Sequence, residues 1–469
     1  MVPLWLAIIY GAATQIKRSR YRGDPSGKYF LPGLTIKIVS GIMVGLIYQH
    51  YYSNGDTINY YRNAEALIEY ATRNFNTAWE IYFTDYDREI ERHLMLRGIA
   101  EYIGVWYFYD APAYFVTRIT VIVNLFTFGS YYASSIIFST LSFIGVWGIY
   151  RTFVHYFPVA YRSAAYAVLF IPSVCFWGSG ILKDSITLGG VGILVYGCYL
   201  YLDGARRREF FRWLPLMFLA AFFIFSIKPY ILFALLPFLT VWVSLDLRKR
   251  SKSAVFKILF APLLIVVFTI GGYFAVTKLS EDNKRYNVDN VLDTAAKVQD
   301  DLTQDYYYED SGTRGSAYDV GDFEPTAAGV LSKAPISIVT AFFRPLPWEA
   351  NSPLLLMAAL ESLVILILAI RSLVQAGLLM FFRALFSSPF ILFCICFSVF
   401  FGLMVGLTSG NFGNLTRYRI PFIPFLVAAL LVLRTLAERQ AAINREALKA
   451  KAQRNFEKQM EAKRRAVQR

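Results

Sequence analysis

Cysteine is scarce in this sequence, and its placement argues against a disulfide framework. The four cysteines all lie inside apolar runs, where they behave as small hydrophobic side chains; they are Cys175, Cys198, Cys394 and Cys396. The apolar N-terminus, Met1–Gln15, lacks a preceding positive charge, because the first basic cluster follows it. That order predicts that it is not a cleaved signal peptide. The sequence also lacks an internal repeat of the kind found in many transporters.

Charged residues are few, at 17% of the chain, whereas hydrophobic residues make up 56% and the mean hydropathy is +0.43. This is far more apolar surface than one water-soluble core could bury, so lipid must cover much of it. The sequence therefore predicts an all-α, polytopic membrane protein with about ten to twelve transmembrane helices. Examples of the apolar runs are Ala164–Trp177, Ile186–Leu202, Leu214–Ile227, Ile231–Leu245 and Ile258–Val276.

The net charge of +14 does not indicate nucleic-acid binding, because the basic residues form short clusters between the apolar runs. Such clusters orient a membrane protein by facing the cytoplasm. We therefore expect a multi-pass protein of the cytoplasmic (inner) membrane, with no nucleic-acid partner. Alternate loops must face outward, among them the acidic, tyrosine-rich segment Glu281–Glu324. The clusters predicted to be cytoplasmic are Arg151–Arg162, Ala205–Arg212, Arg248–Lys257 and Arg371–Arg383.

The charge pattern also restricts how the chain crosses near its start. The basic stretch Lys17–Lys28 should lie inside, so the span that follows exits and the segment Asn54–Asp110 lies outside. Two apolar runs, Tyr114–Phe128 and Ser134–Tyr150, then join this outer segment to an inner Arg151, which requires an odd number of crossings. We expect Tyr114–Phe128 to be interfacial or half-inserted, because it is short and contains polar residues.

In the alternative arrangement, Met1–Gln15 crosses the membrane, the basic stretch after it lies outside and every apolar run spans, which gives about twelve helices. That arrangement places a basic loop outside, against the usual distribution of charge.

The predicted organisation is a transmembrane domain at 1–435, with a first outer loop at 52–130, a large acidic outer loop at 280–351 and a basic cytoplasmic helical tail at 436–469.

Three groups of ionisable residues lie close to the predicted outer surface, where such residues are costly and often functional. Asp56 follows the first outward span, and it could serve a functional site or merely cap the helix that begins there. Lys183 and Asp184 follow a glycine-containing turn, which we expect to be flexible and to place both charges at the mouth of two spans. Lysine there would suit an anionic phosphate group, whereas a self-neutralising turn is the simpler alternative.

The third group combines Arg344, Trp348 and Glu349, at the end of the large outer loop, with Arg417 and Arg419 before the final span. Positive charge is normally depleted at the outer face, so arginines that begin a helix there are unusual. A bound phosphate would explain them. Trp348 could stack on the face of a sugar, although aromatic residues are common at membrane interfaces.

Taken in order, these features resemble the glycosyltransferase-C superfamily, which includes protein O-mannosyltransferases and lipid A aminoarabinose transferases. The shared features are an Asp after the first span, a long outer segment with an interfacial helix, a span ending in Arg151, a span with Pro172 leading to an acidic turn, and the closing sequence RYRIPFIP. The resemblance covers most of Leu31–Leu433 and rests on order and topology. Many members have Asp-Glu where this chain has Asp56-Thr57, and Lys183-Asp184 differs from the common second site.

The resemblance implies an acceptor-activating carboxylate at Asp56, a second outer carboxylate at Asp184 and cations that bind a lipid phosphate. We therefore expect a polyprenyl-phosphate-sugar-dependent glycosyltransferase that acts at the outer, periplasmic face on a glycan, lipid or protein acceptor during cell-envelope glycan synthesis. The residues leave open whether a divalent cation takes part. The expected substrate-binding residues are Lys183, Arg344, Trp348, Glu349, Arg417 and Arg419.

Other functional classes remain open at this point. An O-antigen or exopolysaccharide polymerase or ligase would also use outer arginines, on a glycan linked to a lipid diphosphate. A lipid or polysaccharide transporter or flippase is a second alternative. Against it stand the missing repeat and the gathering of charges at one face, since transporters bind their substrates near the bilayer midplane. A structural subunit of an envelope complex is also compatible with the sequence.

Overall fold

The computed structural model describes residues 1–84, 91–250, 318, 321 and 327–467. The described residues are 88% helical and contain no β-strand, which confirms the predicted all-α fold. Two predicted features lie outside the described residues: the apolar run Ile258–Val276 and, apart from residues 318 and 321, the acidic segment Glu281–Glu324.

Eighteen helices follow one another along the described part of the chain. They are α1 (Val2–Arg20), α2 (Phe30–His50), α3 (Asp56–Arg73), α4 (Phe75–Phe83), α5 (Glu91–Tyr102), α6 (Ala111–Thr127), α7 (Tyr131–Tyr156), α8 (Tyr161–Leu169), α9 (Pro172–Trp177), α10 (Lys183–Leu202), α11 (Arg207–Ile227), α12 (Pro229–Arg250), α13 (Ala327–Phe343), α14 (Pro353–Ala376), α15 (Leu378–Ser387), α16 (Pro389–Thr408), α17 (Phe412–Tyr418) and α18 (Ile423–Val467).

Seven of the described helices are long and apolar enough to cross a membrane, which confirms a multi-pass membrane protein. They are formed by α2, α7, α10, α11, α12, α14 and α16. An eighth span results if α17 and the first part of α18, which meet at a bend of 68°, cross together. The sequence predicted about ten to twelve crossings. The described part of the chain contains fewer, and α6 and α13 are shorter apolar helices.

The spans α7 and α10 form the centre of the bundle, and glycines bring their backbones into contact. A Cβ atom on Gly145 would lie 1.9 Å from the carbonyl oxygen of Gly189, and one on Gly192 would lie 2.1 Å from the carbonyl oxygen of Gly145. Lipid provides little hydrophobic drive for helices to associate, so close packing through small residues has to supply the attraction. The glycines therefore explain why these two helices lie together.

Two contacts mark opposite ends of the bundle. At one end, Arg151 Nη1 near the end of α7 donates to Asp24 Oδ2, just before α2, at 2.6 Å. At the other end, the hydroxyls of Thr57 and Tyr131 hydrogen-bond at 2.7 Å, shortly after α2 and at the start of α7. The helices α2 and α7 therefore run in opposite directions along the same length of the bundle.

The segment between α2 and α7 consequently starts and finishes at one end of the bundle, which we call the Asp56 end. It contains α6 and with it the run Tyr114–Phe128. If every apolar run crossed, as in the twelve-helix alternative, Asp56 and Tyr131 would lie at opposite ends. The observed contacts fit the arrangement in which α6 does not cross, and the side of the membrane that the Asp56 end faces stays a prediction.

The C-terminal helix α18 is continuous over 45 residues and extends to Val467. Its first part packs in the bundle, whereas the side chains from Glu438 to Glu457 are exposed. The segment predicted as a helical tail, 436–469, is thus helical as far as it is described. Its cytoplasmic location stays a prediction.

Candidate functional site

Two short helices, α9 and α17, position the charged residues at the Asp56 end. The helix α9 begins at Pro172, because proline lacks the backbone N–H and disfavours helix in the preceding residue. The chain then turns through Gly180, whose φ of +73° is readily adopted by glycine, before α10 begins at Lys183. All residues from Gly178 to Leu182 are buried. We expected a flexible turn here, and the structure shows one that is packed inside the bundle.

A cluster of four charged side chains lies where these elements meet, and we call it the Asp56 cluster. Arg417, in the last turn of α17, donates from Nε to Asp184 Oδ2 at 2.5 Å and from Nη1 to Asp56 Oδ2 at 2.8 Å. Lys228, between α11 and α12, donates to Asp184 Oδ1 at 2.5 Å and lies 4.8 Å from the centre of the Tyr418 ring. The structure thus brings together Asp56, Asp184 and Arg417, which the sequence had singled out separately.

The two carboxylates of this cluster differ in their exposure. The Asp184 side chain is 2% exposed and is enclosed by two cations, Arg417 and Lys228. Its expected catalytic part stays a prediction. The Asp56 side chain is 37% exposed and accepts from Arg417. Lys183 lies nearby, with its ammonium 3.6 Å from Asp110 Oδ2. Asp56 is therefore the carboxylate of the pair that a substrate could reach.

Asp56 does not act as a helix cap. Gly55 occupies the capping position of α3, and no side chain caps that helix. Gly55 has a φ of +136°, and a Cβ atom there would lie 2.4 Å from the Tyr48 ring, so both the backbone and the space require glycine. Of the two roles that the sequence left open for Asp56, capping is excluded, and its carboxylate is directed to Arg417.

Two tyrosines lie close to Asp56, and their ring centres are 5.1 Å apart; they are Tyr60 and Tyr107. Burial, followed by the charge of the Asp56 carboxylate, raises the pKa of both phenols. Both hydroxyls therefore stay protonated at neutral pH and can donate a hydrogen bond. Tyr60 is buried, so of the two only the half-buried Tyr107 could donate to a sugar hydroxyl.

Comparisons with known proteins identify no relative. No protein-family model matches this chain, and neither a curated protein nor a solved structure matches it.

Arg419 belongs to a separate, buried network. Its side chain is fully buried, and it donates from Nη2 to Glu361 Oε1 at 2.8 Å and from Nη1 to the Ser362 hydroxyl at 2.7 Å. Glu361 in turn accepts from the backbone N–H and the hydroxyl of Ser173 in α9, both at 2.6 Å. We expected Arg419 to bind phosphate, but its enclosed side chain holds three helices together, so we leave it out of the proposed site.

Arg344, Trp348 and Glu349 form a second neighbouring group. Arg344 pairs with Glu349, with Nε donating to Oε1 at 2.8 Å, and its guanidinium lies 5.0 Å from the centre of the Phe412 ring at the start of α17. Trp348 is 77% exposed. Among the described residues, no hydrogen bond or ion pair joins this group to Asp56. Its expected part in substrate binding stays a prediction, with Trp348 the most accessible member.

Sequence reasoning did not single out Lys228 of the Asp56 cluster, nor two charged residues of the neighbouring buried networks. Lys228 stands in the short break between two apolar runs, and Glu361 and Lys37 are single charges inside apolar runs. A charge in such a position is itself a signal of function, because an ionisable residue within a span is costly. As for metals, no group of three or more metal-ligating side chains occurs among the described residues.

Proposed function

We propose that this chain is a glycosyltransferase that takes a sugar from a polyprenyl-phosphate donor and passes it to an acceptor hydroxyl at the outer face of the membrane. The observation that supports the proposal most directly is the pairing of a partly exposed carboxylate, Asp56, with Arg417. Arg417 is itself held by the buried Asp184. The order of features that resembles the glycosyltransferase-C superfamily supports the same reaction.

The charges of the Asp56 cluster suggest how a donor would bind. Arg417 and Lys228 are both anchored on the buried Asp184, whereas Asp56 is the partner of Arg417 that solvent reaches. A lipid phosphate could replace Asp56 at Nη1 of Arg417 without moving the guanidinium from Asp184. Guanidinium and phosphate form charge-assisted, two-pronged contacts, which makes this exchange favourable.

This exchange would couple donor binding to catalysis. Once the phosphate holds Arg417, the Asp56 carboxylate loses its ion pair and is free to accept the proton of the acceptor hydroxyl. The acceptor oxygen then attacks the anomeric carbon, the bond from that carbon to the phosphate oxygen breaks, and the acceptor proton passes to Asp56. The electron pair of the broken bond leaves on the polyprenyl phosphate, whose charge Arg417 and Lys228 stabilise. A positioned base typically contributes about 10²–10⁴-fold.

The variant Asp56→Asn tests this proposal. Its side chain keeps the shape but lacks basicity, so we expect a folded protein whose transfer rate falls by at least about a hundredfold. The measurement is transfer of sugar from a polyprenyl-phosphate donor by purified protein in detergent or liposomes. The matched control is Asp203→Asn at the other end of α10, where the carboxylate accepts from the Ala205 N–H. Asparagine caps about as well as aspartate, so this control should retain activity.

Two results would count against the proposal. Full activity of Asp56→Asn would show that the carboxylate is not the base. Activity only with glycans on a lipid diphosphate, giving long products, would favour the alternative of a polymerase or ligase. A flippase is less well supported, because the charges of the Asp56 cluster gather at one end of the bundle and transporters bind near the midplane.

A further inference from the structure

The short helix α9 has both of its ends held by buried charged side chains from other helices. At its N-terminal end, the Glu361 carboxylate accepts from the backbone N–H and the hydroxyl of Ser173, both at 2.6 Å. Glu361 lies in the span α14, and its side chain is 6% exposed. It supplies the acceptor that the first N–H groups of a helix cannot find within their own helix.

At the C-terminal end of α9, a lysine supplies the complementary donors. The Lys37 ammonium donates to the carbonyl oxygens of Val174 at 3.2 Å and Gly178 at 2.5 Å. Lys37 lies in the span α2 and is 1% exposed. The Val174 carbonyl also accepts from the Gly178 N–H at 3.2 Å, and the Gly178 carbonyl also accepts from the Ser142 hydroxyl at 2.7 Å. A charge within a span is costly, and the remaining lone pair of each carbonyl offsets this cost by solvating the ammonium.

The same carboxylate joins α9 to the second short helix, α17. Arg419, which follows α17, donates to Glu361 at 2.8 Å. Arg417, two residues earlier, lies 5.7 Å from the centre of the Trp177 ring, where α9 ends. The turn after α9 then leads to Asp184, the anchor of Arg417. The placement of the Asp56 cluster therefore depends on how α9 is held.

We infer that Lys37 and Glu361 are positioning residues: they hold α9 by its two ends and thereby fix Asp184 and Arg417. Neither belongs to the Asp56 cluster, so both act through α9. The consequence for donor binding rests on the proposed function, whereas the placement of α9 is a property of the fold and can be measured separately.

A native cysteine in α9 can report how firmly this helix is held. Cys175 lies in this helix, is 4% exposed and should react slowly with a thiol reagent. In a background with Cys198, Cys394 and Cys396 replaced by alanine, the rate of labelling by N-ethylmaleimide reports how often α9 opens. Lys37→Met removes the ammonium while keeping an apolar stem. We expect labelling of Cys175 to become at least about tenfold faster, since each lost hydrogen bond to a charged group is worth that much or more.

The second measurement is the affinity for polyprenyl phosphate in detergent micelles. We expect Lys37→Met to weaken binding by about tenfold or more, since small displacements of binding groups have effects of this size. Lys37→Gln should lie between the variant and the wild type in both measurements, because its amide still donates but is shorter and uncharged. The matched control is Lys28→Met, which removes an exposed lysine just before the same span and should change neither value.

The outcomes separate this inference from the proposed function. Unchanged labelling and unchanged affinity in Lys37→Met would overturn the positioning role. If wild-type protein does not bind polyprenyl phosphate but Lys37→Met still exposes Cys175, the positioning of α9 stands and the proposed function fails. If Lys37→Met does not fold, Lys37→Gln decides, and labelling in it at the wild-type rate would contradict the inference.

Discussion

Two arginines that are two residues apart have different environments, and this difference is the main result at the scale of single residues. A helix advances about 100° per residue, so Arg417 and Arg419 point in nearly opposite directions around the end of α17. Arg417 reaches the partly exposed Asp56, whereas Arg419 reaches the buried Glu361. From the sequence alone they were equivalent candidates for a phosphate clamp, because residue type does not reveal which carboxylate each one meets.

The first prediction at this scale concerns Arg417. If it holds the donor phosphate, Arg417→Ala should weaken polyprenyl-phosphate binding by at least about tenfold, since a charge-assisted contact is worth about 1.5–3 kcal/mol. Arg417→Lys should restore only part of the affinity, because an ammonium cannot make the two-pronged contact. Titration of the purified variants with the lipid gives the affinities. Equal affinity in the wild type and the alanine variant would show that Arg417 does not bind the donor phosphate.

The second prediction concerns Arg419, for which we expect a loss of stability. Arg419→Ala leaves the Glu361 carboxylate buried without its cation, and removing one partner of a buried pair typically costs about 3–5 kcal/mol. Thermal unfolding in detergent should show a clearly lowered transition. A suitable control is Arg434→Ala, since Arg434 pairs with Glu438 at a partly exposed position of α18. If Arg419→Ala had wild-type stability but bound the donor more weakly, Arg419 would contact the donor phosphate and would not serve as a structural residue.

At the scale of elements, the sequence indicated where helices break but not what the breaks do. Pro172 interrupts the apolar run Ala164–Trp177, which the structure divides into α8 and α9. The run reads as one span by hydropathy, because hydropathy averages over a window and does not register a short break. That the break places Ser173 against Glu361, nearly two hundred positions later in the chain, depends on packing that no local pattern encodes.

The contact between α7 and α10 supports a prediction at this scale. In Gly145→Ala the new methyl group would collide with the backbone of α10, so the helices must separate, and such overpacking costs about 1–3 kcal/mol. The control is Gly11→Ala in α1, where a Cβ atom would meet nothing within 4 Å. Alanine favours helix over glycine by about 1 kcal/mol, so the control should be neutral or stabilising. Equal unfolding transitions in the two variants would contradict the close packing of α7 on α10.

At the scale of the whole molecule, composition was sufficient to predict a helical membrane protein, because lipid must cover this much apolar surface and several apolar runs are long enough to span as helices. Counting crossings between basic clusters also predicted that one of two apolar runs does not cross, and the short length and polar residues of Tyr114–Phe128 favoured that run. The contacts of Thr57 with Tyr131 and of Asp24 with Arg151 fit this arrangement. The pairing of Asp56 with Arg417 joins residues 361 positions apart. Sequence order could suggest that they share a face, but only the packed helices bring them into contact.

The last prediction concerns the side of the membrane that each end of the bundle faces. The contacts define which segments share an end, and the basic clusters predict which end is cytoplasmic. Asn54, Ala111 and Phe128 are exposed residues of the segment between α2 and α7, and Gly204 is exposed beyond the far end of α10. In a background without native cysteines, Asn54→Cys, Ala111→Cys and Phe128→Cys should all react with a membrane-impermeant maleimide added outside intact cells. Gly204→Cys should react only after the membrane is opened, because the basic cluster around it should face the cytoplasm.

Each pattern of labelling has a distinct meaning. If Phe128→Cys reacted only from inside while Ala111→Cys reacted from outside, α6 would cross the membrane, and Tyr131 could not meet Thr57 at the same end. If all four positions had the reverse accessibility, the fold would stand but the Asp56 cluster would face the cytoplasm. A donor sugar would then have to be presented on the inner leaflet, and the proposed outer-face transfer would be wrong even if Asp56 were the base.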